Sequence, residues 1–347
     1  MKKVLLGMSG GVDSSTAALL LLQQGYEVAG ATFRVWKPAG AESEKEIEDA
    51  GAVCERLGIR HYLLDLQDFF RETVVEYFVH AYQQGMTPNP CVVCNRTVKF
   101  GRFFEAADAL GYDMIATGHY ARILQENGEY QLCRGVDRRK DQSYFLYGIP
   151  YARLPRIVFP LGDYTKTEVR ELAGQYGLTV SEKKDSQEIC FVDPQQGYAS
   201  FLQQYTGQEP QPGDFLDTEG NRLGRHSGIW HYTVGQRKGL GVTFGKPMFV
   251  QRIVPAANQV ILAENQQLFT EELWLQHLCW ALPAIPEGPL EAAVKIRSTA
   301  QPVPAVLVPD GEGLRVRFAE PQRAATPGQS AVFYRGDRVL GGGVISG

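Results

Sequence analysis

Two patterns of hydrophobic and polar residues divide the chain of 347 residues. In the first half, short apolar runs typical of buried strands alternate with segments in which apolar residues recur every three or four positions, as on one face of a helix. The predicted strands are 3–8, 27–33, 61–66 and 113–117, and the predicted helices are 14–24, 44–57, 98–110 and 165–176. The last of these opens with the capping-box pattern of Thr165 and Glu168. Strands that alternate with helices predict an α/β domain with a Rossmann-like parallel sheet covered on both faces.

The pattern changes after residue 204. Short alternating runs separated by Gly, Pro and Asn are typical of small barrels or sandwiches. The predicted strands there are 230–234, 247–253, 259–262, 292–296, 305–308 and 314–318. We therefore expect two small all-β, barrel-like modules after the α/β domain, with domain bounds at 1–204, 205–266 and 267–347.

Composition is typical of a globular chain with a large core, since 44% of the residues are hydrophobic. Lys2 and Lys3 precede an apolar run, but Gly7 soon ends it, and no later run approaches the roughly 18 residues needed to span a membrane. We expect a cytoplasmic chain with no membrane partner. The cysteines are too few and too scattered for a disulfide framework, so any with a function are expected to be catalytic or metal-bound.

The net charge of −4 hides a basic segment. Residues 220–263 contain neither Asp nor Glu, while arginines, lysines and two histidines accumulate there. Such a segment suits an anionic partner.

A glycine-rich loop directly follows the first predicted strand. Residues 7–15 read Gly-Met-Ser-Gly-Gly-Val-Asp-Ser-Ser and lead into a predicted helix. Adjacent glycines let the backbone approach an anion, and the N–H groups and positive dipole end of the helix attract it. The loop lacks the Gly-Lys-Ser/Thr ending of a Walker A motif. It therefore indicates a phosphate site of another type, in preference to a simple glycine turn.

Two segments place cysteines among polar residues. Residues 87–95 hold Cys91 and Cys94 just after two prolines, and residues 184–191 hold Cys190. Cys94 is expected at a helix entrance, where the dipole favours a thiolate and lowers a pKa that is ordinarily about 8.5. Core positions are expected for the remaining cysteines, which lie in apolar runs: Cys54, Cys133 and Cys279.

The glycine loop resembles the Ser-Gly-Gly-x-Asp-Ser loop of the ATP-pyrophosphatases, which attach AMP to a substrate oxygen and release pyrophosphate. Further motifs follow in a characteristic order and spacing: 87–95, 117–122, 140–146, 185–190, 235–241 and 326–330. Together they resemble the bacterial tRNA-specific 2-thiouridylases over almost the whole chain. The resemblance implies an N-terminal domain of the adenine nucleotide alpha-hydrolase type and a transferase that modifies tRNA.

The resemblance implies ATP-dependent replacement of the 2-oxygen of the wobble uridine 34 by sulfur in the tRNAs for Lys, Glu and Gln. ATP adenylates the oxygen, and AMP and pyrophosphate are released. Cys190 would carry a persulfide, and Cys94 would be the nucleophile that ends in a transient disulfide with Cys190. Asp13 would act in catalysis and position Mg²⁺. The implied ATP contacts are Gly7, Met8, Ser9, Gly10, Gly11, Val12, Asp13, Ser14, Phe33 and Gly118.

The same resemblance implies that the β modules hold the anticodon arm of tRNA and that a cysteine desulfurase or a relay protein donates sulfur. The implied target-base and tRNA contacts are Asn89, Pro90, Cys91, His119, Lys140, Asp141, Gln142, Arg297, Ser298 and Gln329. Simpler roles stay open at three places. Phe33 suits a core position, His119 suits a strand-end hydrogen bond, and the basic run at 134–140 suits a solvated face.

Cys91 departs from the family pattern, in which many members have an aspartate. Cys91, Cys94 and Cys190 are the three thiols that would hold a 4Fe-4S cluster with one iron free for sulfide, whereas zinc would require a fourth ligand. Two routes to the same product therefore stay open, a persulfide relay between Cys190 and Cys94 or a cluster-bound hydrosulfide. The alternatives from other classes are a small-molecule ATP-pyrophosphatase ligase and a non-catalytic tRNA-binding protein.

Overall fold

The computed structural model describes residues 1–38, 44–177, 189–193, 195–243 and 245–346, so residues 185–188 of one motif lie outside the described ranges. The helices are α1 (Val12–Gln23), α2 (Glu44–Leu57), α3 (Gln67–Phe70), α4 (Glu76–Gln83), α5 (Pro90–Cys94), α6 (Phe103–Ala109), α7 (Lys166–Gln175) and α8 (Gly197–Thr206). Short π-helical or 3₁₀ segments are Arg71–Val75, Asn95–Arg102, Ser143–Phe145, Tyr151–Arg156, Ile229–His231, Pro255–Ala257 and Asn265–Leu268. None of the helices in these ranges combines the length and apolar character required to cross a bilayer.

The strands follow the predicted alternation in the first half and dominate the second. They are β1 (Lys3–Gly7), β2 (Glu27–Arg34), β3 (Arg60–Asp65), β4 (Met114–Thr117), β5 (Ala121–Glu126), β6 (Glu129–Arg134), β7 (Ile157–Val158), β8 (Gly213–Leu216), β9 (Arg222–His226), β10 (Phe249–Val254), β11 (Gln259–Ala263), β12 (Phe269–Trp280), β13 (Leu290–Lys295), β14 (Val303–Asp310), β15 (Gly313–Arg323), β16 (Ser330–Arg335) and β17 (Arg338–Ile345).

A five-stranded parallel sheet lies at the centre of the N-terminal domain, in the order β3-β2-β1-β4-β7. Its side chains alternate between two buried faces. Leu5 and Ile115 pack into one core with α6, while Leu6 and Ala116 pack into the other with α1, α2 and α7. This confirms the predicted α/β, Rossmann-like fold. The glycine loop after β1 therefore lies at the carboxyl edge of the sheet, where such folds bind ligands.

A further helical layer, which the sequence pattern does not indicate, covers residues 67–83. α3, the π-helical segment that follows it and α4 run on continuously, and their apolar side chains form a cluster with residues from much later in the chain. Within it, the ring of Phe78 lies 5.3 Å from that of Phe191 and 5.8 Å from that of Phe201. Phe191 directly follows Cys190, and Cys94 packs against the same cluster. The layer therefore brings two distant cysteine segments together.

The two predicted all-β modules are confirmed, with one correction. β8 to β11 form a sheet in the order β10-β11-β8-β9, and β12 to β17 form a barrel that closes because β12 pairs with β17 as well as with β15. The predicted strand at 230–234 is wrong, since Ile229–His231 forms a 3₁₀ turn. The apolar alternation there reflects packing of Tyr232 in the core of the first module.

The C-terminal barrel shares an interface with the N-terminal domain. Arg338 in β17 pairs with Cys133 in β6, so the hairpin β5–β6 extends the barrel sheet. Tyr144 donates a hydrogen bond to the Ser330 carbonyl at 2.8 Å, and the Tyr147 and Ser330 hydroxyls are 3.1 Å apart. Because these groups are buried, their hydrogen bonds tie the barrel to the N-terminal domain.

Candidate active site

The glycine loop between β1 and α1 has the conformation of an anion-binding turn. Gly10 has a φ of +64°, and a Cβ atom there would lie 2.6 Å from the Cβ of Asp49, so glycine is required. Ser9 N–H donates to Ser14 Oγ at 3.2 Å. Gly11 precedes α1, and no described side chain caps the helix. The first N–H groups of α1 are therefore directed at the loop.

Asp13, in the first turn of α1, is held by side chains from two other elements. Lys166 Nζ lies 2.8 Å from each carboxylate oxygen, and Tyr120 Oη donates to Oδ1 at 2.8 Å. Lys166 is only 8% exposed, and buried lysines require such partners. Carboxylate oxygens are the ligands that Mg²⁺ prefers, and the Asp13 side chain is 33% exposed. Asp13 therefore fits the implied metal contact, although it is already paired with an ammonium group.

Lys166 and Tyr120 are site residues that the sequence analysis does not predict. Lys166 is the first residue of α7, directly after Thr165, whose predicted capping box with Glu168 is confirmed. A lysine in this position opposes the helix dipole, and this conflict is the one signal that the sequence offers. Tyr120 gives no comparable signal, because an aromatic residue after a strand is ordinarily part of a core.

Gly118 and Phe33 border the loop at the ends of β4 and β2. A Cβ atom on Gly118 would lie 3.1 Å from backbone atoms of Asp13, so the turn after β4 touches the start of α1. Phe33 packs edge-on against Phe103 with 4.9 Å between ring centroids, as expected of a core residue. Two further loop residues are buried: Met8 and Val12.

The three cysteines that lie among polar residues, Cys91, Cys94 and Cys190, share one surface. Their pKa values differ from the low value expected for Cys94. Cys94 ends α5, so its predicted position at a helix entrance is wrong. Burial, together with repulsion between the neighbouring sulfurs, raises the pKa of Cys94 to about 12 and that of Cys190 to about 11. Surrounding protein atoms also desolvate the Cys91 thiol and raise its pKa, although Cys91 and Cys190 are exposed at the protein surface. The expected low pKa is therefore wrong, and these thiols are protonated at neutral pH.

Lys99 is a positive charge that acts on all three of these thiols, and Lys37 also acts on Cys190. The helical run continues from α5 into the π-helical segment Asn95–Arg102, in which residues five apart share a face, and Lys99 is five residues after Cys94. Its charge opposes the rise in pKa at all three thiols. The same charge helps lower the pKa of His119. The sequence does not reveal this register, because a π-helical stretch has no distinctive residue pattern.

All six cysteines lie in the described ranges and are free thiols. The described residues include no group of three or more His, Cys, Asp or Glu side chains arranged to hold a metal ion. The thiols of Cys91, Cys94 and Cys190 are close enough to affect one another's pKa. Of the cysteines expected in the core, Cys54 and Cys133 are buried and Cys279 is half-buried.

Three residues implied to contact tRNA make hydrogen bonds within the protein. His119 is 7% exposed, its Nδ1 lies 2.7 Å from Thr117 Oγ1, and burial lowers its pKa well below the ordinary value. The Asp141 carboxylate accepts two backbone N–H groups. Gln142 Oε1 accepts the Tyr120 N–H at 3.0 Å. The bonds of His119 and Gln142 brace the turn after β4, beside Asp13.

Gln329 lies between the C-terminal barrel and the cysteine segment. Its Nε2 donates to the Thr87 carbonyl at 2.9 Å, and Thr87 N–H donates to the Pro327 carbonyl at 2.8 Å. A barrel loop thus holds the chain that leads into α5. Arg297 donates to the Ala324 carbonyl at 2.8 Å within its own module. The other implied tRNA contacts differ in exposure: Cys91 and Ser298 are exposed, Asn89 and Lys140 are half-buried, and Pro90 is buried.

Three family models match consecutive parts of the chain. The tRNA methyl transferase HUP domain matches residues 2–194, the tRNA methyl transferase PRC-barrel domain matches 199–264, and the aminomethyltransferase beta-barrel domain matches 270–345. Together with the loop and the parallel sheet, they define the chain as a HUP-domain protein that has two barrel domains.

Relatives of nearly the same length share a single name. The tRNA-specific 2-thiouridylase MnmA of Carboxydothermus hydrogenoformans is 48% identical, covering 99% of this chain and 97% of the relative. Proteins of the same name from Desulfitobacterium hafniense and Clostridioides difficile are 48% and 46% identical, and each alignment covers 99% of this chain and 98% of the relative. The chain belongs to the tRNA-specific 2-thiouridylase family.

Proposed function

We propose that the chain transfers sulfur to the 2-position of uridine 34 in the tRNAs for Lys, Glu and Gln, and cleaves ATP to AMP and pyrophosphate. The main support is a series of close approaches and electrostatic effects that links the phosphate loop to the cysteine segment. Gly118 touches Asp13 in the loop, His119 follows it, and Lys99 acts electrostatically on both His119 and Cys94. An activated oxygen and a sulfur carrier are therefore able to face the same base.

In the first half-reaction, the uracil O2 attacks the α-phosphate of ATP and pyrophosphate leaves. This step converts a poor leaving oxygen into AMP. The α1 N–H groups and the backbone at Gly10 and Gly11 would bind the pyrophosphate, while the backbone at Phe33 and Gly118 would border the adenosine. Magnesium held through Asp13 would offset the phosphate charge.

In the second half-reaction, Cys190 carries the sulfur as a persulfide. The Cys94 thiolate attacks the inner sulfur, forms the Cys94–Cys190 disulfide and releases hydrosulfide, which attacks C2 of the base while AMP leaves. Lys99 stabilises the thiolate of Cys94 against the effect of burial. A thiol reductant then reopens the disulfide, and a cysteine desulfurase or relay protein restores the persulfide.

We assign this chemistry to residues 1–204 and tRNA binding to the modules at 205–266 and 267–347. The segment 220–263 has no acidic residue, which suits the phosphates of an anticodon arm. A base turned out of its stack would be reached by Asn89, Pro90 and Cys91. The remaining tRNA contacts that we propose are His119, Lys140, Asp141, Gln142, Arg297 and Ser298, whereas we propose that Gln329 positions the segment before α5.

The test measures AMP and 2-thiouridine after incubation with tRNA, ATP, a cysteine desulfurase and cysteine. We expect equal amounts of both products, and neither with a tRNA that has cytidine at position 34. Cys190→Ser should lose thiouridine, whereas Cys279→Ser, at a half-buried position away from the loop, should keep it. AMP formed without tRNA but with a small-molecule acceptor would indicate a ligase instead. If the protein binds tRNA and forms neither product, it is a non-catalytic binder.

Iron content separates the persulfide route from the cluster route. A 4Fe-4S cluster on Cys91, Cys94 and Cys190 would give a brown anaerobic protein that loses its colour in Cys91→Ala. The persulfide route instead requires that a colourless, iron-free protein thiolates tRNA.

A further inference from the structure

The phosphate loop has no lysine of its own, yet a lysine from elsewhere lies against it. The Lys166 Nζ is 2.8 Å from both oxygens of Asp13. Asp13 is the second residue of α1 and follows the loop glycines. One ammonium group therefore stands beside the N–H groups of α1 that would receive an anion.

The surrounding structure holds this ammonium group firmly. Thr165 caps the helix that Lys166 begins, and Asp137 Oδ2 accepts the Lys166 backbone N–H at 3.0 Å. α7 packs on α1, with the Thr16 hydroxyl 3.5 Å from the carbonyl of the fully buried Val169. Burial and the helix dipole both disfavour a cation at this position. A role beyond packing explains why a lysine stands there.

We infer that Lys166 is a phosphate-binding residue that supplies the cation missing from the loop. The inference rests on the proposed function, in which the loop binds ATP. When the nucleotide arrives, oxygens of its outer phosphates replace Asp13 as partners of Lys166, and Asp13 turns to magnesium. Lys166 then stays with the pyrophosphate while AMP is joined to the base.

The alternative is that Lys166 only positions Asp13. The two roles differ in the ligands that they affect. Lys166 as a phosphate ligand strengthens binding of ATP and pyrophosphate, whereas AMP has no outer phosphate for it to contact. AMP affinity therefore reports whether the site keeps its shape.

The experiment measures equilibrium binding of magnesium ATP, magnesium pyrophosphate and AMP to the full chain by calorimetry, without tRNA. We expect Lys166→Met to weaken binding of ATP and pyrophosphate by about tenfold to a hundredfold, and to leave AMP affinity within about twofold. The control is Lys3→Met, which removes the same charge from a half-exposed residue at the opposite end of β1. Equal losses for ATP and AMP, or unchanged ATP affinity, would overturn the inference.

Lys166→Met removes one partner of a buried ion pair, which destabilises the folded protein. A second comparison therefore starts from a variant in which this ion pair is already broken. In Asp13→Asn the pair is already gone while Tyr120 keeps a hydrogen-bond acceptor. Adding Lys166→Met to Asp13→Asn should weaken binding of magnesium-free pyrophosphate by at least about tenfold. Identical affinities of the single and double variants would refute a phosphate contact. A wild-type chain that binds no ATP would instead refute the proposed function, which keeps the two failures distinct.

Discussion

At the residue scale, the proposed sulfur transfer depends on the acidity of Cys94. Because burial raises the pKa of this thiol to about 12, it is protonated at neutral pH and its thiolate fraction grows about tenfold per pH unit. We expect the rate at which iodoacetamide alkylates Cys94 to rise continuously from about pH 7 to about pH 9, measured by mass spectrometry of the peptide. A rate that levels off below about pH 8 would contradict the raised pKa.

Lys99 is expected to limit how far the pKa of Cys94 rises. Lys99→Met removes the positive charge that opposes the rise in pKa, so the pKa of Cys94 should rise further. At a fixed pH we expect alkylation of Cys94 and thiolation of tRNA to slow by about tenfold, with ATP affinity unchanged. Lys99→Arg keeps the charge and should react like the wild type. Equal rates for the methionine and arginine variants would exclude an electrostatic role.

Asp13 is the residue whose loss should separate adenylation from RNA binding. Asp13→Ala removes the proposed magnesium contact, so we expect AMP formation to fall by at least about a hundredfold, while tRNA affinity stays within about twofold because the β modules are untouched. Asp68→Ala, which removes an exposed carboxylate of similar size, is the control. Full turnover by Asp13→Ala would show that the loop is not the site of adenylation.

The residues that the sequence did not reveal share a physical cause. Lys166 and Lys99 act on residues that only the fold brings near them. Lys166 reaches Asp13 across two packed helices, and Lys99 lies near Cys94 because of the π-helical segment. In contrast, Asp13 and the loop glycines act through their immediate neighbours in sequence, so their motif alone indicates a phosphate site. The predicted acidity of Cys94 is wrong for the same reason, because its burial depends on residues from several separate elements.

At the scale of elements, the glycine loop depends on a close approach between α1 and α2. Gly10→Ala puts a Cβ atom 2.6 Å from the Cβ of Asp49 in α2 and at a φ of +64°. We expect ATP affinity to fall by more than tenfold, measured by calorimetry, because a loop that shifts loses its aligned N–H groups. Gly25→Ala has a similar φ of +80° with no described atom within 4 Å, so it should cost about 1 kcal/mol of stability and keep ATP affinity. Similar ATP affinities in both variants would rule out this steric explanation.

Elements with one strong hydrophobic period could be predicted from the sequence. Elements that are stabilised by packing against residues far away in the sequence could not. The predicted helix 44–57 matches α2 because its polar and apolar faces are distinct, and because the residues that end it are adjacent to it in the sequence. Residues 67–83 contain more apolar residues, but their helical form is stabilised by aromatic contacts with Phe191 and Phe201. The two-residue strand β7 is too short for any periodic signal, and its place follows from parallel pairing with β4.

At the scale of the whole molecule, the C-terminal barrel is bonded to the segment that leads into the cysteine helix α5. Gln329 and Pro327 bond to the backbone of Thr87, just before the cysteine helix α5. The barrel also shares a sheet and buried tyrosine bonds with the domain that holds the phosphate loop. A module proposed to hold the anticodon arm is therefore connected by hydrogen bonds to the segment that holds Cys91 and Cys94. This arrangement allows tRNA docking on the barrel to adjust the cysteine segment.

The last prediction distinguishes that positioning role from a direct tRNA contact. Gln329→Ala removes the donor to the Thr87 carbonyl, so we expect faster hydrogen exchange over residues 86–90 and slower thiolation, with tRNA affinity within about twofold of the wild type. Ser298→Ala, at an exposed position of the same barrel, should instead weaken tRNA binding without changing exchange near Thr87. If Gln329→Ala mainly lowers tRNA affinity and leaves the exchange of residues 86–90 unchanged, Gln329 acts on the RNA and not on the cysteine segment. Because both variants alter the same barrel, the comparison separates the two roles without disturbing the phosphate loop.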